Sequence, residues 1–238
     1  HQVVALLLHD VNNDGLTDIV YAGQPNVMVI LEQQSDGTFK KVRTHKVNGL
    51  GANFNAFSIS NLVGDELPEI VTVVNGDLTL FSLDGTSLGK PIRLNTKDRV
   101  LAFEYADYDG NGLEDIVGII PDSSEPIRLW LTHNQEDKRA IGPQHRFEMP
   151  PLRNFVSINL PRKSKALMAA IERASRRIVL YELEEDSIDD FGDREVPLEI
   201  YPFEGEAKRQ QLIADVNQDG MLDLIATNSD NNTIVVYL

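Results

Sequence analysis

The sequence predicts an all-β repeat protein. Three observations carry that prediction. One pattern of side-chain oxygens occurs three times with almost no variation, at Asp10, Asn12, Asp14 and Asp18, at Asp107, Asp109, Asn111 and Asp115, and at Asp215, Asn217, Asp219 and Asp223. Each copy carries a glycine at its sixth position (Gly15, Gly112, Gly220) and is flanked on both sides by short apolar runs, several of them β-branched, which read as strand, loop, strand. Two weaker copies begin at Asn61 and Asn159. The five starts are then spaced by roughly 46–56 residues, close to the span of a four-stranded propeller blade.

The elements follow in chain order. In the first repeat, strands are expected at Val3–His9, Asp18–Ala22, Asn26–Gln33 and Thr38–Thr44, with Asp36 and Gly37 as a hairpin turn. The second gives Phe57–Asn61, Glu69–Val74 and Asp77–Leu83, with Asn75-Gly76 as a tight turn, and a last strand near Pro91–Leu94. The third gives Leu101–Ala106, Asp115–Ile120, Ile127–Thr132 and a looser strand at Arg146–Met149. The fourth gives Phe155–Asn159, Leu167–Glu172, Arg177–Leu183 and Pro197–Ile200. The fifth gives Gln210–Ala214, Asp223–Thr227 and Thr233–Leu238, with no fourth strand. The expected architecture is one β-propeller domain of five blades, each of three to four antiparallel strands, in a closed ring. Its repeats run approximately 1–50, 51–96, 97–150, 151–205 and 206–238. The alternative is a segment of a longer propeller, which would expose apolar blade faces.

The loops carry the chemistry. Oxygen ligands at positions 1, 3, 5 and 9 around a sharp glycine-permitted turn suit a hard cation, calcium above all. An EF-hand begins the same way but needs a bidentate Glu at position 12. Here that position is Tyr21, Gly118 or Ala226, so the loop closes with the Asp at position 9. The carbonyl of position 7 (Leu16, Leu113, Met221) supplies a further oxygen. The metal ligands expected are therefore Asp10, Asn12, Asp14, Leu16 and Asp18, then Asp107, Asp109, Asn111, Leu113 and Asp115, then Asp215, Asn217, Asp219, Met221 and Asp223. About three structural Ca²⁺ ions follow, with affinities of about 10⁻⁴–10⁻³ M. The second loop keeps Asn61, Asp65 and Glu69 but has Val63 at position 3, which makes it a poor site. The fourth has Arg162, Lys163 and Lys165 where acids stand elsewhere. These bases are expected to replace the ion electrostatically or to face acids on a neighbouring blade.

The pattern D-x-[DN]-x-[DN]-G-x-x-D followed by an apolar strand resembles the FG-GAP/VCBS repeat, found in integrin α-subunit propellers and in many secreted bacterial proteins. The resemblance implies that each repeat is one blade and that the loop joins the blade's first two strands. It also implies calcium as a structural ion and an extracellular, cell-surface or periplasmic setting. It implies no single activity.

Composition narrows the functions. A net charge of −15 argues against nucleic acid and anionic membranes as partners. No run approaches the length of a membrane span, so no direct membrane insertion is expected. The absence of cysteine excludes disulfides, which fits a cytosolic protein and equally a secreted one held by calcium instead. The acidic stretch Glu182–Glu195 reads as a solvated extension. Arg162, Lys163 and Lys165 with Arg173, Arg176 and Arg177 could form a basic patch. Catalytic constellations are thin: the sequence contains no HExxH, GxSxG or phosphate loop. His9, His45, His133 and His145 sit at strand ends or in loops. Trp130 is expected in the core, and Tyr108, between two ligands, is expected to point outward toward a partner. The function expected is a non-catalytic binding or scaffolding module with a protein or glycan partner on a propeller face, oligomeric state undetermined. The alternative is a carbohydrate-binding or polysaccharide-active propeller.

Overall fold

A computed structural model describes residues 2–51, 53, 55–64, 67–84, 86–94, 98–136, 138–159, 164–174, 178–183, 211–220, 223–228 and 232–237. All the regular structure among them is β, arranged as five successive antiparallel sheets. The first contains β1 (Gln2–His9), β2 (Asp18–Gln24), β3 (Val27–Gln33) and β4 (Phe39–Lys46) in chain order. The second contains β5 (Phe57–Ser60), β6 (Glu69–Val74), β7 (Asp77–Asp84) and β8 (Ser87–Leu88), with β9 (Ile92–Leu94) also paired to β7. The third contains β10 (Ala102–Ala106), β11 (Asp115–Ile119), β12 (Ile127–Gln135) and β13 (Lys138–Phe147). The fourth contains β14 (Leu152–Ile158), β15 (Leu167–Glu172) and β16 (Ile178–Tyr181). The fifth contains β17 (Gln211–Ala214), β18 (Asp223–Asn228) and β19 (Thr233–Tyr237).

Apart from β9, which returns to β7, every sheet is a meander, because each connection is short and turns the chain back on itself. The second strands are the most apolar. β6, β11 and nearly all of β15 are buried at every position. They lie between two neighbours and are covered on both faces, so their sequences show continuous apolar runs instead of alternation. The outer strand β4 shows the opposite: Phe39, Lys40, Lys41, Arg43 and Lys46 are exposed.

The chain divides into two compact units, His1–Phe103 with Asn134–Ile141, and Glu104–His133 with Gly142–Leu238. In the first, the inward faces of the first two sheets share a core that includes Val20, Met28 and Ile30 with Phe57, Ile70 and Phe81. Burying each such side chain contributes about 1.5–3 kcal/mol. In the second, Ile158, Leu167 and Ile178 of the fourth sheet pack with Leu224 and Ala226 of the fifth.

Two expected strands change. The strand foreseen at Arg146–Met149 is β13, which begins at Lys138. Its sequence holds Gly142 and Pro143 and is half-exposed, so it reads as a loop, yet an outer strand tolerates both residues. A Cβ on Gly142 would lie 3.2 Å from the carbonyl oxygen of Leu131, which explains the glycine. The last strand of the second sheet is split between β8 and β9. The expected strand at Pro197–Ile200 lies outside the described residues, as does all of Glu182–Glu195 beyond its first two residues.

Candidate metal centre

Each complete loop runs from the end of a sheet's first strand to the start of its second. Its shape comes from side chains folding back on the loop's own backbone, the usual behaviour of Asp and Asn in turns. In the first loop, Asp10 accepts the N–H groups of Asp14 (3.1 Å) and Gly15 (2.8 Å). Asn12 Oδ1 accepts Asp14 N–H, and Asp14 Oδ1 accepts Leu16 N–H. In the third, Asp107 accepts the N–H groups of Gly110, Asn111 and Gly112, while Asn111 Oδ1 accepts Leu113 N–H at 2.7 Å. In the fifth, Asp215 accepts those of Asp219 and Gly220. Position 6 is left-handed in all three, with φ of 83°, 84° and 85° at Gly15, Gly112 and Gly220. Only glycine adopts that conformation without strain.

Position 9 has a role that the pattern alone did not disclose. Asp18, Asp115 and Asp223 are almost fully buried. Each accepts the N–H of loop position 2: Val11 for Asp18, Tyr108 for Asp115, Val216 for Asp223. Asp18 and Asp115 also accept an N–H from the third strand, at Gln33 (2.9 Å) and Thr132 (2.7 Å). The carboxylate thus ties loop, second strand and third strand together.

All three loops hold three patterned carboxylates, but in the third they converge most closely. Single oxygens of Asp107, Asp109 and Asp115 lie within 4.8 Å of one another, the one such acidic cluster among the described residues. The first and fifth loops have Asn12 and Asn217 where the third has Asp109, and Asp14 and Asp219 where the third has Asn111, so the carboxylates are distributed differently around the turn. Burial pushes the Asp115 carboxyl up to about 6, and the nearby Asp109 and Asp107 add to the rise, while hydrogen bonds from Thr132 and Tyr108 oppose it. Asp18 is raised for the same main reason, burial, with smaller contributions from Asp14 and Asp10. A cluster of hard oxygen donors that repel one another is chemistry that fits a divalent cation of the calcium type. Asp107, Asp109, Asn111 and Asp115 would hold it. Asp10, Asn12, Asp14 and Asp18, and Asp215, Asn217, Asp219 and Asp223, stand in the matching places. Leu16 and Leu113 occupy position 7 as expected, and Met221 lies outside the described residues.

The second loop keeps the anchor and changes the rest. Glu69, 1% exposed, accepts the N–H groups of Leu62 (2.9 Å) and Val63 (3.2 Å). Arg139, from the β12–β13 hairpin, donates to the carbonyl of Asn61 at 2.7 Å, and its own backbone pairs with Gly64. Asp65 lies outside the described residues. In the fourth loop, position 9 is the buried Leu167, and the anchoring carboxylate is gone. Ala166 N–H instead donates to the carbonyl of Asp107, and Ser164 and Lys165 pack close against Gly110. Lys165 therefore lies beside the backbone of the third loop at Gly110. Arg162, Lys163, Arg176 and Arg177 lie outside the described residues.

Tyr108 does not point outward. It is 1% exposed, and its hydroxyl bonds Ser157 Oγ at 2.7 Å. Val11 and Leu62 at the same position are also buried, whereas Val216 is 51% exposed although Asp223 holds its N–H, so packing around the loop decides where this side chain goes. Trp130 is 2% exposed, in the core as expected, and offers no platform for a sugar. Among the histidines, His145 is buried and His45 Nε2 lies 3.1 Å from the carbonyl of Thr86.

Residues 10–60 match the family model described as an FG-GAP-like repeat. No curated protein matches the chain. Among solved structures, the Tc holotoxin pore of Photorhabdus luminescens is similar, with a TM-score of 0.53 and 17% identity over 98% of this chain. The chain spans only 11% of that toxin chain. BBS1N in complex with ARL6DN, in a lead-soaked crystal, gives a TM-score of 0.48 at 12% identity, covering all of this chain and 78% of that one. At these identities the toxin likeness speaks to the fold alone, which is all-β and propeller-like.

Proposed function

With an FG-GAP-like repeat at residues 10–60 and a propeller-like fold as premises, we propose that this chain is a calcium-stabilised, non-catalytic binding module. The observation that carries the calcium half is the approach of the Asp107, Asp109 and Asp115 oxygens to within 4.8 Å, in a loop whose pattern recurs twice. Bound calcium supplies charge neutralisation and cross-links a loop whose ordering otherwise costs conformational entropy. The chain's own residues do the remainder. Position 9 fixes the loop to the strands, and positions 1, 3 and 5 hold the turn.

The binding half rests on the absence from the sequence of a recognisable catalytic motif and on a fold that presents loops and strand edges from a rigid scaffold. We place the module outside the cytosol, where millimolar calcium meets an affinity of about 10⁻⁴–10⁻³ M. Thermal melting tests the calcium half. Calcium is expected to raise the melting temperature and EDTA to lower it, and coincident melts would rule out a structural ion.

A further inference from the structure

The first unit carries a basic edge on an acidic protein. β4 contains Lys40, Lys41, Arg43, His45 and Lys46 and no acid, in a chain of net charge −15. Along its C-terminal half runs a groove of about 490 Å³, within the size range of ligand sites. One side is lined by the five consecutive residues 44–48. A strand that presents consecutive residues presents its edge, since alternate residues share a face. The other side includes Thr79 and Phe81 of β7 and Arg93 of β9, which stand on one sheet because Thr79 pairs with Arg93.

That edge is open. Among the described residues β4 pairs only with β3. Val47 N–H donates to the carbonyl of Asn26, at the end of β3, at 2.9 Å. By strand alternation the N–H and C=O of Lys46 and Thr44 point the other way, into the groove. No hydrogen bond among the described residues engages them. Side chains hold the groove's shape instead: Arg43 bonds Ser87 Oγ and His45 meets the Thr86 carbonyl. Lysines on an edge strand also deter aggregation, and Lys40 and Lys41 need no other reason. Deterrence does not explain why Arg93, from a different sheet, lines the same groove as Lys46.

We propose that this groove docks an acidic peptide in extended conformation, which adds to β4 as a further strand while Lys46 and Arg93 pair with its carboxylates. Open backbone donors and acceptors provide the affinity, and the cations select the sequence. The proposal rests on reading the chain as a binding module but not on calcium.

The test is fluorescence anisotropy on the full chain in calcium buffer, with a labelled decapeptide alternating Glu and Thr. A Lys-Thr peptide and dextran sulfate serve as comparison probes. The acidic peptide is expected to bind and the basic one not. The double variant Lys46→Glu with Arg93→Glu is expected to weaken binding at least about tenfold with an unchanged melting curve. N-methylation of alternate peptide nitrogens should abolish binding in one of its two phases and spare it in the other. No binding by the acidic peptide overturns the proposal. Binding that ignores N-methylation and is matched by dextran sulfate also overturns it, leaving a polyanion surface. Calcium and EDTA melts on the same samples separate the two readings. A chain that calcium stabilises but that binds no acidic peptide loses only the groove. A chain indifferent to calcium that binds the peptide loses only the ion.

Discussion

The loop at 107–115 and the loop at 61–69 occupy the same place in their sheets and are built on the same anchor. Asp115 holds the N–H groups of Tyr108 and Thr132, and Glu69 holds those of Leu62 and Val63. Beyond the anchor they part. The third loop brings three carboxylates within 4.8 Å. The second has Val63 at position 3 and receives the guanidinium of Arg139 on its Asn61 carbonyl. The difference teaches that the motif performs two separable tasks. Position 9 anchors the loop to its sheet, and in the third loop it also joins positions 1 and 3 in the acidic cluster. The second repeat keeps the anchor while losing the oxygen at position 3, and the guanidinium of Arg139 engages its loop from outside.

The largest expected effect probes what the loops share. Asp115→Ala and Glu69→Ala each strand two backbone donors, at about 4 kcal/mol per variant. Urea unfolding in EDTA should give similar losses for the two. A much smaller loss at Glu69 would show that the second anchor is idle.

The next effect concerns a carboxylate that only the third repeat has. Glu104 on β10, matched by Ser58 on β5, is pushed by burial to about 7. Its folded value lies above its unfolded one, so the native state holds the proton more tightly. Stability is therefore highest below the unfolded value near 4.5, falls as pH rises toward 7, and stays low above that. Glu104→Gln should leave stability unchanged at pH 4 and raise it by about 3 kcal/mol at pH 8. Equal gains at both pH values would contradict the burial argument.

Calcium sharpens the comparison directly. At a concentration a hundredfold above its dissociation constant, each occupied site contributes about 2.7 kcal/mol. Asp109→Ala should remove one such share, and titration calorimetry should count about one ion fewer for Asp14→Ala, Asp109→Ala and Asp219→Ala. Asp65→Ala should leave the count unchanged. Equal losses at all four positions would erase the distinction between the loops.

The smallest effect belongs to Arg139. Arg139→Met removes one charge-assisted hydrogen bond to Asn61, for about 1.5 kcal/mol. The loss should be the same with calcium and with EDTA. A calcium-dependent loss would mean that the second loop also holds an ion.

Much of this was legible in the chain. The strand positions follow from apolar runs bounded by turn residues, and β6 and β15 match their expected limits residue for residue. The candidate ligands were legible because an oxygen-rich turn repeated three times has few other uses. β13 was not, since an outer strand needs little apolar character and accepts Gly142 and Pro143. The inward turn of Tyr108 was hidden because its hydroxyl meets Ser157, 49 residues away in the chain. The basic character of β4 could be read as composition, but not its open edge.

The sequence by itself determined the repeat, the strands and the oxygen pattern of the loops. All three are local, set by side-chain period, turn chemistry and the spacing of donors within about ten residues. Only the tertiary structure decided which carboxylates converge, that Arg139 reaches a loop 78 residues away in the chain, and that β4 lies beside Arg93. Those outcomes depend on which strands the folded chain places side by side, and local propensity carries no information about that.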